Sequence, residues 1–412
     1  MLFLYRLSVG LYHFLIWVIS PFHQRARTFS RERNRVFKEL EEEFDRPVDH
    51  LAWFHAASLG EFEQARPVIE RLKNEMPQIK VLVTFFSPAG YQVVKNNDSL
   101  DFVHYLPEDS PQNARRFIRL VRPKVAVFVK YELWYFFLTE LKRTGVPTLL
   151  ISGIFRKNQL YFHPLGTFYK KAFDSFAHFY LQDDYSSVLL RKLGYRNWTI
   201  TGDTRFDRVI EIAQTHYEFP KLDAFCEGGK KIMVLGSVWL SDMEHLWEIF
   251  DHYSNDFKFI VAPHQLDSKS LKPFLELPRS VKYSQLEMTN PDVSIMIIDQ
   301  FGMLSKIYRF ADIAIVGGAF RGTLHNTLEP AVYGVPVFFG SHPNNEKFVE
   351  ARELQTVGGG FTFENYNDLK DQLDQMIENQ QMYEIACVAS SEFVKSRAGA
   401  ASKVASRMKE VL

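Results

Sequence analysis

The stretch ADIAIVGGAFRGTLHNTLEPAVYGVPVFFGSHPN, residues Ala311 to Asn344, decides how this chain of 412 residues folds. Ile313 to Val316 reads as a buried strand that Gly317 and Gly318 stop at its carboxyl end. His325, Asn326 and Glu329 follow across a turn expected to open a helix, and a second strand, Val337 to Phe339, ends in Gly340, Ser341 and His342. In an open α/β sheet ligands bind beyond the carboxyl ends of the strands, which is where these glycines and polar side chains fall. Helix amides at such a point suit an anion. A helix starting there carries His325, Asn326 and Glu329 on one face, because they lie three and four residues apart. A carboxylate repels a phosphate but accepts hydrogen bonds from sugar hydroxyls. The combination points to a sugar phosphate or nucleotide, with ordinary turn chemistry as the alternative.

Upstream, IMVLGSV (residues 232–238) reads as a strand running into Gly236 and Ser237, a phosphate-facing turn on the same reasoning. FKFIVAPHQLD (257–267) ends with His264 exposed beyond Pro263, where an imidazole either donates to a phosphate or is structural. Further back, short apolar strands alternate with helices from Leu51 to Thr201, the signature of a second parallel sheet. Two glutamates sit at its strand ends. Glu61 opens the helix SLGEFEQARPVIERLK, where the helix dipole is expected to keep it ionised, as general base or as helix cap. Glu132 follows the strand Val125 to Val129, flanked by Tyr131 and Trp134.

The length exceeds what one core usually supports, so two domains are expected. With 49 basic and 49 acidic residues the formal charge is zero, so nothing global argues for nucleic acid. Cys226 and Cys387 lack metal spacing, and neither a P-loop nor a metal triad is present. Residues Leu2 to Ile19 are almost all apolar, and Arg25, Arg27, Arg31, Arg33, Arg35 and Lys38 follow. This pattern suits a membrane anchor held at the cytoplasmic face, either a marginal span or an in-plane helix, with a buried helix as the alternative. The divisions are 1–46 for anchor and basic linker, 47–210 for a first Rossmann-like domain, 211–229 for a linker and 230–412 for a second. The closing helix is free to pack back on the first domain.

Together, HAASLGEFE (55–63), Glu132 to Trp134, Thr201 to Asp207, Gly236 with Ser237, Pro263 with His264, VGGAFRGTLHNTLEP (316–330) and GVPVFFGSHPNN (334–345) carry a resemblance over nearly the whole chain. It resembles the 3-deoxy-D-manno-octulosonic acid (Kdo) transferases of lipopolysaccharide assembly. The resemblance implies a GT-B arrangement, two Rossmann-like domains facing across a cleft, with an N-terminal anchor at the inner membrane. It implies CMP-Kdo as donor substrate, the tetraacyl lipid A precursor, lipid IV(A), as acceptor, inversion at the anomeric carbon, and no cofactor or metal. In its terms Glu61 is the general base and Glu132 a second essential carboxylate. Ser237 and His264 contact the donor phosphate, Asn326 and Glu329 the donor nucleotide with His325 beside them, and Arg205 stands where many members have lysine. The sequence departs from the pattern at Phe85 to Ser87, at Lys130 and Tyr131, and at Val238 to Leu240. The rival reading is a GT-B transferase or epimerase using another nucleotide-sugar.

Overall fold

A computed structural model describes residues 2–286 and 292–412. The chain forms two compact units, Met1–Arg208 with Ala398–Leu412, and Val209–Arg397. The boundary falls inside the helix Thr204–Gln214.

The first unit is built on seven parallel strands, β1 (Leu51–Ala56), β2 (Lys80–Phe85), β3 (Phe102–Tyr105), β4 (Val125–Val129), β5 (Thr148–Gly153), β6 (His178–Leu181) and β7 (Trp198–Ile200). Their order is β3-β2-β1-β4-β5-β6-β7. Every residue of β1 and β4 is buried, as expected of strands covered by helices on both faces. One face packs Trp53, Phe117, Phe128 and Phe137. The other packs Phe54, Val83, Val127 and the helix Leu59–Glu75. The closing helix Ala400–Lys409 joins this second layer through Ala401, Val404 and Met408. Asp207 fixes its start, accepting from the amides of Gly399 (2.8 Å) and Ala401 (3.3 Å).

The second unit repeats the design with β8 (Lys231–Val238), β9 (Phe257–Pro263), β10 (Ser280–Lys282), β11 (Ile295–Ile297), β12 (Ile313–Val316), β13 (Val337–Gly340) and β14 (Gly360–Phe363). Its order is β10-β11-β9-β8-β12-β13-β14, again all parallel. The expected α/β class with two parallel sheets is therefore what the chain adopts. In each sheet the strand order reverses once, between β1 and β4 and between β8 and β12. At such a reversal the helices leave on opposite faces, and a crevice opens beyond the strand ends.

Two local expectations need correction. The connection between β8 and β9, whose residues Asp242 to His252 read in sequence as one helix, holds two short ones, Leu240–Met243 and Ile249–His252. The helix after β12 spans only Leu328–Ala331, because the Asn326 side chain accepts from the Leu328 amide and holds the chain in a turn until then. His325 and Asn326 thus precede the helix, and its amides offer no full first turn to an anion.

Candidate active site

At the reversal point of the first sheet, β1 leads through Ser58 into the helix Leu59–Glu75, and Glu61 is its third residue. The Glu61 carboxylate accepts from the Ala57 amide at 2.6 Å. The side chain folds inward, only 6% exposed, and burial raises its pKa against the pull of the amides and of Lys130. The helix start is expected to favour the ionised form, but burial outweighs it and moves the pKa up. Desolvation penalises the charged form more than the first-turn amides favour it.

Beyond β4 the chain turns sharply at Lys130, whose φ of 60° lies in the left-handed region. The turn aims Glu132 back into the protein, where its Oε2 accepts from Trp134 Nε1 at 2.8 Å. Burial first, and the charge of Glu61 second, push the Glu132 carboxyl up to about 8. The two carboxyls are therefore linked: one holds its proton near neutral pH and the other is free to ionise. His55 on β1 closes the group, its Nε2 lying 4.0 Å from Glu132. Its Nδ1 meets Thr84 Oγ1 at 2.9 Å, and burial lowers its pKa to about 3. The contact with Glu132 is thus between a neutral ring and a carboxyl, not an ion pair.

The shift at Glu132 has a measurable sign. Its folded pKa, about 8, lies above the ordinary 4.5, so the folded state binds more protons between these values. The penalty is absent below about 4.5 and complete above about 8. Glu132→Gln should gain in Tm over the parent as pH rises through this window, the two converging at its acid end. A constant difference across the window contradicts the assignment.

At the reversal point of the second sheet, β8 carries a bulge between Gly236 and Val238 that places Ser237 at φ 53°. Bulges beside sites turn a side chain or amide toward a ligand. A Cβ on Gly236 would fall 1.8 Å from the Tyr308 hydroxyl, so only glycine fits there. Gly317 and Gly318 follow β12, and Asp242 ties both strand ends together. Its Oδ2 accepts from the amides of Trp239 and Gly318, each at 2.8 Å.

Trp239, which sequence reasoning passed over as a departure, organises this end of the sheet. Arg321 lies 4.2 Å over its ring, and His264 stacks on it at 4.0 Å between centroids. His264 in turn stacks on His325 at 4.5 Å. Trp239 Nε1 donates to His325 Nε2 at 3.2 Å, which puts the neutral ring's proton on Nδ1. Burial lowers His325 to about 4, and burial with the Arg321 charge also lowers His264. The stack presents His264 to a pocket of about 290 Å³ lined by Ser237, His264, Leu266, Gln300, Phe301 and Glu329 among others. Asn326 stands behind Glu329, its Nδ2 donating to Oε1 at 3.2 Å.

The structure thus brings Ser237, His264 and Glu329 onto one pocket, with His325, Asn326, Gly236, Gly317 and Gly318 as its support. Arg205 is in the first unit, where it pairs with Asp203 at 2.7 Å. Trp134, Lys130 and Trp239 were visible only as side chains flanking motif positions. Among the described residues no cluster of His, Cys, Asp or Glu is arranged to hold a metal ion.

A small apolar and polar pocket at one strand reversal and a linked carboxyl pair at the other suit transfer of a group from an activated donor. Solved structures agree on the architecture. A UDP-GlcNAc 2-epimerase from Neisseria meningitidis, bound to UDP-GlcNAc, aligns with a TM-score of 0.59 at 15% identity, covering 87% of this chain and 99% of that one. MurG from Acinetobacter baumannii aligns at 0.54 and 12% identity, covering 88% and 99%. These likenesses establish the fold: the chain is an α/β protein of the GT-B class.

Residues 25–208 match the family model described as 3-deoxy-D-manno-octulosonic-acid transferase (kdotransferase). The 3-deoxy-D-manno-octulosonic acid transferase of Aquifex aeolicus is 27% identical over 337 residues, 79% of this chain and 85% of the relative. That of Chlamydophila psittaci is 29% identical over 332 residues, 78% and 76%. Residues 25–208 thus carry the Kdo transferase family's pattern, and the chain is similar to Kdo transferases over 79% of its length.

Proposed function

We propose that this protein transfers Kdo from CMP-Kdo to the tetraacyl disaccharide precursor of lipid A, lipid IV(A), with inversion at the anomeric carbon and release of CMP. What supports this chemistry is the linked pair Glu61 and Glu132, whose carboxyls burial pushes up together at the strand reversal of the first sheet. An acceptor hydroxyl oxygen attacks the anomeric carbon of Kdo. Its proton passes to Glu61, and the bond from that carbon to the CMP phosphate oxygen breaks. The leaving group is already a phosphate ester, so its departure needs charge stabilisation more than protonation. Ser237 on the bulge and His264 on its aromatic stack supply donors for that charge, and Glu329 accepts from ribose hydroxyls. The bound phosphate raises His264 from its lowered pKa and recruits a proton there. Arg205, held in place by Asp203, completes the donor set that the resemblance implies.

The acceptor lies in a membrane, and the N-terminal helix Leu2–Ile19 is long and apolar enough to cross one. Its half-buried positions are Leu2, Tyr5, Val9, His13 and Ile16 with Gly10, a helical stripe laid along the first unit. Phe3, Leu7, Leu11, Phe14 and Trp17 on its other sides are exposed. One packed stripe and a broad bare apolar face suit a helix lying in the cytoplasmic leaflet of the inner membrane, with the following arginines at the headgroups.

Donor choice is tested by titrating CMP and UDP into the protein in a calorimeter. CMP should bind through the pocket and UDP much more weakly; tighter UDP binding would favour a UDP-sugar enzyme. Trp239→Ala, which removes the support of His264, should weaken CMP by about ten-fold. An unchanged CMP affinity in that variant would remove the stack from donor binding.

A further inference from the structure

The same N-terminal helix is joined to the Glu132 segment by two chains of contacts that membrane anchoring alone does not require. In the first, the Tyr5 hydroxyl donates to Asp109 Oδ2. Asp109, on the connection after β3 and 2% exposed, caps a helix from outside it. Its Oδ1 accepts from the amides of Phe136 and Phe137, both at 3.1 Å, in the first turn of the helix Tyr135–Thr144. The residue at the N-cap of that helix is Trp134, which donates to Glu132. In the second chain, the Tyr12 ring lies 5.9 Å from Phe86, and Phe86 lies 5.1 Å from Trp134. Trp134 is thus held from two sides by residues that the N-terminal helix seats.

We propose that the N-terminal helix is a positioning element of the active site, with Tyr5 and Asp109 as the positioning residues that set Trp134 and through it Glu132. The inference rests on the role given to Glu132 above. Membrane attachment uses the broad exposed face of the helix, and catalysis uses Tyr5 on its packed stripe with Tyr12 at the stripe's edge, so the two functions are separable by substitution.

Tyr5→Phe keeps the ring among Tyr135, Phe136, Phe168 and Tyr169 and removes only the hydroxyl. In detergent micelles containing the acceptor it should lower kcat by about ten-fold, with KM for CMP-Kdo and liposome association as in the parent. Asp109→Ala should do the same or worse. Asp109→Asn retains an oxygen for the Phe136 and Phe137 amides and should recover most of the turnover. The double variant Leu7→Ser with Leu11→Ser, on the exposed face, should lose liposome association and keep the parent's kcat in micelles.

Parent kcat in a folded Tyr5→Phe protein overturns the inference. So does a loss of kcat that tracks Tm across all variants and is not recovered by Asp109→Asn. A parent that transfers no Kdo refutes the proposed function instead. The positioning claim is then decided by the pH dependence of Tm measured against Glu132→Gln. Tyr5→Phe must shift that window toward acid as Glu132 loosens into solvent, and an unmoved window refutes the claim.

Discussion

Glu61→Gln should lower turnover by about 10³-fold while CMP binding stays at the parent value. The amide keeps the shape of the side chain and can still accept from the Ala57 amide, so the helix Leu59–Glu75 keeps its start. What it cannot do is take a proton from an acceptor hydroxyl. Because burial already holds the Glu61 carboxyl above its ordinary pKa, it is a stronger base than a solvated glutamate once ionised. The neighbouring Glu132 retains its proton up to about 8, which leaves Glu61 as the member of the pair that ionises first. The variant also relieves Glu132 of a like charge, so its carboxyl should titrate at lower pH. Turnover within a few-fold of the parent would make Glu61 a capping residue and nothing more.

Gly317→Ala should abolish CMP binding and destabilise the second unit by about 2 kcal/mol, read as a fall of several degrees in Tm. A Cβ there would lie 2.6 Å from both the Ser237 carbonyl oxygen and the Val238 Cα, and 2.8 Å from Asp242 Oδ2. Two of these are backbone atoms of the bulge that aims Ser237. The bulge cannot retreat freely, since the Gly317 amide donates to the Gly236 carbonyl at 2.9 Å and β12 pairs with β8 up to Gly236. The control is Gly60→Ala, in the first turn of the helix Leu59–Glu75, where an added Cβ meets nothing within 4 Å. That change should be neutral or stabilising by about 0.5 kcal/mol. Equal effects of the two substitutions would show that the bulge tolerates displacement.

Both sheets could be read from the sequence because their strands are short apolar runs that end in glycine or polar residues, as LAWFHA and IAIV do. Parallel strands buried on both faces leave that mark directly. The positions of Glu61 and Glu132 were legible for the same reason: each follows within a few residues of such a run. Their ionisation was not. Glu61 sits at a helix start, a feature local in sequence, but its pKa answers to its burial and to Lys130, some 70 residues away, and no periodicity reports that. The stack of Trp239, His264 and His325 escaped likewise, since it joins residues from three separate strand ends. The helix expected from His325 onward was shortened by a single side-chain hydrogen bond from Asn326, which competes with the helix for the Leu328 amide. The pairing of Arg205 with Asp203, two residues away, was not legible in its motif. At the N-terminus the apolar run was plain in the sequence. That Tyr5 and His13 turn toward the first unit, leaving Phe3, Leu7 and Phe14 outside, became visible only with the packing.

The most direct measurement is mass spectrometry of the lipid product after the purified protein is incubated in detergent with lipid IV(A) and CMP-Kdo generated in place. The expected result is an acceptor heavier by one or more Kdo units, formed with release of CMP and absent from the Glu61→Gln reaction. An unmodified acceptor from a folded protein that binds CMP, or transfer instead from a UDP-sugar, would contradict it.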